Sequence, residues 1–251
     1  MSINPNQSYF DGFYQAIWKQ VIPQELTEKE IRHLLEQYGL NSSTRVLDLM
    51  CGYGRHSLAL ASNGIAVTAV DNLPSYIQEL QQAARSRLLP VETHCQNILD
   101  WSPNPVHDWA LCMGNSLNFF SPDELPIVLQ KVADSLVPGG YFWINSWSIT
   151  EIALRQTTDG ESLSSTIGSY HHTNVFHLKK DPLRIEIHST IEDEQGQTEN
   201  KVAIDYLYTL EELRTHLAAA GLTFLKAESI PGKKMFTEGD PRVYILSQRH
   251  N

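Results

Sequence analysis

The chain has 251 residues, 41% of them hydrophobic, which suits one large domain or one domain with an insertion and excludes a disordered chain. Nineteen basic residues against 29 acidic ones give a formal charge of -10; a phosphate backbone demands lysine and arginine in place of its counterions, so no nucleic-acid partner is expected. No apolar run of about 18 residues is present, and the opening MSINPNQSYFDGFYQ lacks the basic start and apolar core of a secretion signal. Cys51, Cys95 and Cys112 stand in apolar segments without metal-type spacing. They read as reduced core thiols of a cytoplasmic protein, and neither a metal site nor membrane contact is expected.

The first predicted element is a helical region from Tyr9 to about Tyr38. Its second half is expected to start at a capping box formed by Thr27 and Glu30, and to end at Gly39. From Val46 onward, short apolar or β-branched runs alternate with helical stretches. Val46-Met50, Ala66-Val70, Val91-Cys95 and Trp109-Met113 predict buried strands. Arg55-Asn63 and Ser75-Leu88 predict helices, stopped by Gly64 and Pro90. Ser121-Pro122-Asp123-Glu124 opens another helix whose apolar face carries Leu125, Val128, Leu129, Val132 and Leu136. A turn at Pro138-Gly139-Gly140 and a fifth strand over Tyr141-Asn145 follow.

The pattern changes after about residue 150. Arg184-Ile191 and Val202-Tyr208 alternate apolar and polar positions around a polar turn, so an antiparallel hairpin is expected, with Tyr170-Leu178 as a third strand. Thr209 and Glu212 cap a last helix ending at Gly221, and Leu222-Ile230 and Arg242-Gln248 close the chain as strands. The fold class is therefore α/β: a Rossmann-like mixed seven-stranded sheet with helices on both faces and an antiparallel β insertion between strand 5 and the last helix. The expected organisation is an N-terminal helical segment over the active site (1-40), a cofactor-binding domain (41-150 and 209-251), and the insertion as an acceptor-side lid (151-208).

The turn after the first strand, Asp48-Leu49-Met50-Cys51-Gly52-Tyr53-Gly54, runs straight into a helix. Gly52 and Gly54 let the backbone approach a ligand. Asp71, about 20 residues beyond Gly52 and at the tip of the second strand, is placed to accept from two ribose hydroxyls. This geometry serves dinucleotides and S-adenosylmethionine alike. Ser57 occupies the slot where a dinucleotide fingerprint has its third small residue, and Asp48 suits an ammonium and a sulfonium better than a pyrophosphate. Both features favour the methyl donor.

VLDLMCGYGRHSLALA (46-61), VTAVDNLPSYI (67-77), HDWALCMGNSLNFF (107-120) and LVPGGYFWINSW (136-147) together resemble the motifs of class I S-adenosylmethionine-dependent methyltransferases, in their order and spacing. YTLEELRTHLAAAGL (208-222) resembles a tail common in small-molecule members. The resemblance implies S-adenosylmethionine as cofactor. Met50, Gly52 and Gly54 would contact its methionine part, Asp71 its ribose, and Asn72 and Leu73 its adenosine; Arg55 is a further cofactor-binding candidate, with a solvated first-turn position, as for His56, the alternative. Asn97 and Ile98 stand where the family reads the adenine amine, and Met113 and Asn115 would lie beneath the transferred methyl. Met50 replaces the usual first glycine, so an ordinary backbone conformation is expected there. Asn97 replaces the usual acid, with an amide oxygen still able to accept.

The sulfonium is already a good leaving group, so alignment of donor and acceptor is the main task, and a base is needed only for a protonated acceptor. Candidate groups are Tyr9 in the aromatic cluster with Phe10, Tyr14 and Trp18, and His171 in the insertion beside His172 and His177. The segment Asn115-Ser116-Leu117-Asn118 differs from the Asn-Pro-Pro-Tyr type found in enzymes that methylate DNA bases or protein glutamine. The leading reading is in-line methyl transfer to N or O of a small-molecule acceptor by a monomer or homodimer. An NAD-type oxidoreductase and a non-catalytic S-adenosylmethionine-binding regulatory protein are the alternatives.

Overall fold

The computed structural model describes residues 5–104 and 106–250; the first four residues of the expected N-terminal segment lie outside the described residues. The chain begins with α1 (Asn6–Tyr9), α2 (Phe13–Val21) and α3 (Gln24–Tyr38). Then follow β1 (Arg45–Leu49), α4 (Arg55–Ala61), β2 (Ala66–Asp71), α5 (Pro74–Ser86), β3 (Val91–Cys95) and β4 (His107–Cys112). A 3-10 turn at Ser116–Phe119 leads to α6 (Leu125–Ser135), β5 (Leu136–Ser146) and α7 (Thr150–Gln156). Four strands come next, β6 (Ser162–Ile167), β7 (Tyr170–Lys179), β8 (Arg184–Glu192) and β9 (Thr198–Tyr206). The chain closes with α8 (Leu210–Ala219), β10 (Leu222–Ile230), β11 (Lys234–Met235) and β12 (Val243–Arg249).

The central sheet has the order β11-β10-β12-β5-β4-β1-β2-β3. Strands β3, β2, β1, β4 and β5 run parallel, and β12 joins antiparallel between β5 and β10. β1 shows why: Val46, Leu47 and Leu49 are shielded on both faces, as a strand inside a covered parallel sheet must be. One face packs against α6 and α8 through Leu125, Leu129, Val132, Leu213 and Leu217. The other packs against α3 and α4 through Ile31, Leu34 and Leu60. The strand order reverses between β1 and β4, and the carboxyl ends of strands at such a reversal form the ligand crevice of open α/β sheets.

The insertion is a separate antiparallel sheet, β6-β7-β8-β9, lying in the chain between β5 and α8. Its first strand, Ser162–Ile167, was not anticipated, because a serine-rich, exposed edge strand carries no apolar alternation. The central sheet likewise has eight strands rather than seven, through the two-residue β11. Pro138-Gly139-Gly140 is a bulge within β5 rather than a turn before it. His107 pairs with Leu136 and Trp109 already pairs with Tyr141, and Gly139 absorbs the excess at φ +76°.

The N-terminal region is three helices, broken at Gly12 (φ +60°) and at Pro23. The capping box expected at Thr27 and Glu30 does not form. α3 starts one turn earlier, on Pro23, and both residues are buried within it. Reciprocal capping does occur between Ser121 and Glu124 and between Thr209 and Glu212. Cys112 is buried, but Cys95, on the edge strand β3, is exposed and not a core thiol. Among the described residues no helix is long and apolar enough to cross a membrane.

Candidate active site

The crevice begins with the turn after β1. Cys51 N–H donates to Val70 O on β2 (3.1 Å) and Gly54 N–H to Cys51 O (3.0 Å), which closes the loop tightly on the sheet edge. Gly52 and Gly54 take φ +56° and +82°, and a Cβ on Gly54 would lie 2.4 Å from Leu80 Cδ1. Met50 is also left-handed, at φ +50°, against the expectation of an ordinary conformation. The turn imposes that geometry at its first position whatever residue stands there, at a cost of about 1–2 kcal/mol for a residue with a Cβ.

Asp71 braces the loop as well as facing the crevice. Its Oδ2 accepts from Gly52 N–H (2.8 Å) and its Oδ1 from Leu73 N–H (2.9 Å). Burial pushes its pKa up while these amides pull it down. Asp48 is fully enclosed and accepts from Ser57 Oγ at 2.6 Å; burial raises its pKa, opposed by His56 and Ser57. Ser57, in the slot that would be a third glycine, thus holds the carboxylate that precedes the loop.

Arg55 and His56 open α4, at a first turn where side chains are commonly solvated. Both are instead tied to Glu30 of α3, whose Oε2 accepts from Arg55 Nη1 (2.8 Å) and pairs with His56 Nε2 (2.9 Å). Tyr244 OH donates to Glu30 Oε1 (2.8 Å), and Arg55 also donates to Thr27 Oγ1 (2.8 Å). Burial alone would raise the Glu30 pKa, but His56 and Arg55 outweigh it and bring the carboxyl down to about 2. Glu30 had been assigned a capping role; only its fully satisfied burial reveals its hold on two residues of the crevice.

A cavity of about 80 Å³ is lined by Asp48, Met50, Gly52, Arg55, Asp71 and Met113, with Asn72 and Leu73 at its side. A neighbouring cavity of about 60 Å³ takes in Asn97, Ile98 and the far sides of Met50, Asp71 and Asn72. The two therefore gather every expected cofactor residue except Gly54, which underlies the loop, and Asn115. Asn97 Oδ1 is partly engaged, accepting from Leu99 N–H (3.0 Å).

Asn115, left-handed at φ +70°, turns its side chain away from the cavity. Its Nδ2 donates to Ser148 Oγ and Asp205 Oδ2 (both 3.0 Å), and its Oδ1 accepts from Ser146 Oγ and Ser148 N–H (both 3.0 Å). It is the hinge pin between the sheet edge and β9, while its neighbours Gly114 and Ser116 line the cavity.

The N-terminal helices close the crevice. Asn6, Phe10 and Trp18 line the first cavity. The segment is fastened to β9 by Asn6, which donates to Ile204 O (2.7 Å) and accepts from Ile204 N–H (2.8 Å), and by the Asp11–Lys201 ion pair. Asn72 Nδ2 also donates to Gln7 O (3.0 Å).

The expected aromatic cluster divides in two. Phe10 and Trp18 face the cofactor cavity, whereas Tyr9 and Tyr14, with ring centroids 4.6 Å apart, face the insertion. Tyr9 OH shares a 2.7 Å hydrogen bond with Ser189 Oγ on β8, and burial pushes its pKa up to about 12.

The structure does not bring His171 to this place. It is exposed on β7, opposite Glu192, while His172 is on the inner face opposite Ile191, 5.6 Å from the Tyr14 ring. Alternation along a strand permits only one of two adjacent residues to face inward. His172 is 5% exposed, its Nε2 has no partner among the described residues, and burial lowers its pKa. His177 instead stacks edge-on against His188 at 5.0 Å.

Sequence reasoning also missed Asp205 on β9. It is 7% exposed, with Oδ2 accepting from Ser148 Oγ (2.6 Å) and Asn115 Nδ2. Burial lifts its pKa to about 6, against the lowering effect of Ser148 and Asn115. Oδ1 accepts no hydrogen bond among the described residues. The sequence gives no sign of it: Val202, Ile204, Tyr206 and Tyr208 read as the apolar side of the strand and Asp205 as part of its polar side, whereas in the structure Ala203 and Asp205 are the buried positions.

A parallel sheet with β12 inserted antiparallel, a glycine turn after β1 and a carboxylate at the tip of β2 are the arrangement in which open α/β sheets receive nucleoside cofactors. Residues 46–140 match the family model described as a methyltransferase domain. A Geobacillus protein named as a methyltransferase is 21% identical over 247 residues, spanning 96% of this chain and 98% of its own. The CcbJ methyltransferase of Streptomyces caelestis superposes with a TM-score of 0.83 at 14% identity, covering 98% of this chain and 99% of its own. S-adenosylmethionine-bound CalS10, an amino pentose methyltransferase from Micromonospora echinaspora, superposes with a TM-score of 0.70 at 19% identity, covering 95% and 97%. Residues 46–140 thus carry a methyltransferase domain, and the fold of the chain is that of class I S-adenosylmethionine-dependent methyltransferases.

Proposed function

We propose that the protein transfers a methyl group from S-adenosylmethionine to a nitrogen or oxygen of a small-molecule acceptor, with an amine the better fit. Asp205 carries this reading. It is a buried carboxylate whose Oδ1 accepts no hydrogen bond among the described residues; it is held by Asn115, whose chain neighbours Gly114 and Ser116 line the cavity, and it lies within electrostatic reach of Tyr9 and Tyr14. A carboxylate with a pKa of about 6 is ionised at neutral pH and matched to pairing with an ammonium and taking its proton.

In this account the cofactor's ammonium faces Asp48, its carboxylate faces Arg55, its ribose hydroxyls bind Asp71, and its adenine lies by Asn97 and Ile98. Tyr9, Tyr14 and His172 wall the acceptor side, with the insertion as lid. An amine acceptor passes its proton to Asp205, and the freed lone pair attacks the methyl carbon in line with the departing sulfur. The sulfonium becomes a neutral thioether and the acceptor nitrogen gains the methyl. The amine reading accords with the names of two proteins of similar fold, the amino pentose methyltransferase CalS10 and the sugar N-methyltransferase KedS8.

The described cavity of about 80 Å³ is well below the roughly 300 Å³ or more of a small-molecule site, so the Phe10–Trp18 strap must swing outward to admit the cofactor. The test is a screen of amines, phenols and carboxylates for acceptor-dependent release of S-adenosylhomocysteine. Turnover with amines, lost in Asp205→Asn, supports the reading. Turnover with none of these acceptors, or turnover undiminished in Asp205→Asn, overturns it.

A further inference from the structure

A second and larger cavity lies behind the first. Its volume is about 660 Å³, and its walls are α3 on one side and the β10–β11 turn and the start of β12 on the other. That is ample for a small organic ligand. Its charge runs against that of the whole chain. Five cations line it, Lys29, Arg32, Lys233, Lys234 and Arg242, against three carboxylates, Glu30, Glu36 and Asp240. Glu30 is already matched by Arg55 and His56, and Asp240 by Lys234. Lys29, Arg32, Lys233 and Arg242 then face Glu36 alone, and none of the four has a carboxylate within ion-pair distance among the described residues. In a chain of net charge -10 these cations form a local positive patch that attracts anions to the groove.

The wall also contains His33, 9% exposed, whose Nε2 has no partner among the described residues. Gly232 is packed against that imidazole; a Cβ there would come within 2.9 Å of His33 Cε1. Buried polar atoms are nearly always satisfied, so an orphaned one in the wall of a cavity marks a place for a ligand atom or water. Leu26, Ile230 and Pro231 supply an apolar flank.

We propose that this groove is a second ligand site, separate from the methyl-transfer crevice, for a small organic molecule bearing a multiply charged oxyanion such as a phosphate ester. Arg32 and Arg242 offer planar two-pronged donors to the oxyanion, Lys29 and Lys233 add point charges, and the apolar flank receives the organic part. The floor of the groove is Tyr244 and Glu30, the same Glu30 that holds Arg55 and His56 at the cofactor cavity.

The test is calorimetric titration of the full chain with inorganic pyrophosphate at low ionic strength. The wild type is expected to bind one equivalent. The double variant Arg32→Ala/Arg242→Ala is expected to bind at least ~10-fold more weakly, while its S-adenosylmethionine affinity, which reports folding, stays unchanged. A control replacement of the distant Lys179 by alanine should leave pyrophosphate binding intact. Absence of pyrophosphate binding by the wild type overturns the proposal, and so does equal binding by wild type and double variant. A double variant altered only in sedimentation would make the groove a protein interface and would equally overturn it.

Discussion

Replacing Asp205 by asparagine should make the protein more stable and less active. Burial raises the Asp205 pKa from 3.8 to about 6. The folded state therefore holds the proton more tightly than the unfolded chain, and stability falls as pH rises from about 4 to 6. Above that window the penalty is complete: about two pKa units at 1.36 kcal/mol each, or roughly 3 kcal/mol. Asparagine keeps an oxygen for Ser148 and Asn115 and carries no charge, though its amide must also be desolvated. The variant should gain ~1–3 kcal/mol at pH 8 and almost nothing at pH 4, equivalent to roughly 2–10 °C in melting temperature at the higher pH. Paired thermal melts across that range, with the methyl-transfer rate measured alongside, read both effects. A variant that is no more stable at pH 8 than at pH 4, relative to wild type, refutes the claim that Asp205 is a strained buried carboxylate. Stability of this kind sacrificed at one buried charge is what a functional site requires and a purely structural one avoids.

Glu30→Gln removes the charge that Arg55 and His56 share. Because the folded pKa is lowered from 4.5 to about 2, its contribution of about 3 kcal/mol is present above pH 4.5 and is lost as pH falls toward 2. Urea unfolding at pH 7 should show that loss, and cofactor affinity should fall with it as Arg55 is released. Gly54→Ala combines φ +82° with a Cβ 2.4 Å from the fully buried Leu80, so a destabilisation of about 2 kcal/mol or more is expected by urea titration. An alanine variant as stable as wild type would mean that the loop relaxes freely. Cofactor binding should protect or deprotect α1 and α2 more than α6 in hydrogen exchange, because Phe10 and Trp18 must move while Leu129 need not.

Much of the central sheet was legible in the sequence. Buried parallel strands such as Ala66–Asp71 are bounded by Gly64 and Pro74, and caps such as Thr209 with Glu212 are local signals that tertiary contacts reinforce; Val91–Cys95 forms the expected strand but, at the sheet edge, is not buried. What was missed depends on long-range packing. Thr27 and Glu30 satisfy the capping pattern perfectly, yet α3 extends a turn further back because Glu30 is needed as the partner of Arg55 and His56, distant in sequence. The loop residues Asp48, Gly52 and Asp71 could be read because close backbone approach leaves a compositional trace. Asn115 and Asp205 could not be read correctly, because their roles arise from a bond between two elements far apart in the chain. Choosing between His171 and His172 needed the register of β7 against β8, which the sequence leaves open.

The central claim is that the crevice from Asp48 to Asp71 holds S-adenosylmethionine, with Asp71 both bracing the loop and binding the ribose. Calorimetric titration of wild type and Asp71→Asn with S-adenosylmethionine, at matched and verified folding, tests it most directly. The account predicts one bound equivalent for the wild type and a loss of ~10-fold or more in the variant, about 1.4 kcal/mol at least. Equal affinity in the two proteins, or binding of NAD in place of the methyl donor, would contradict it.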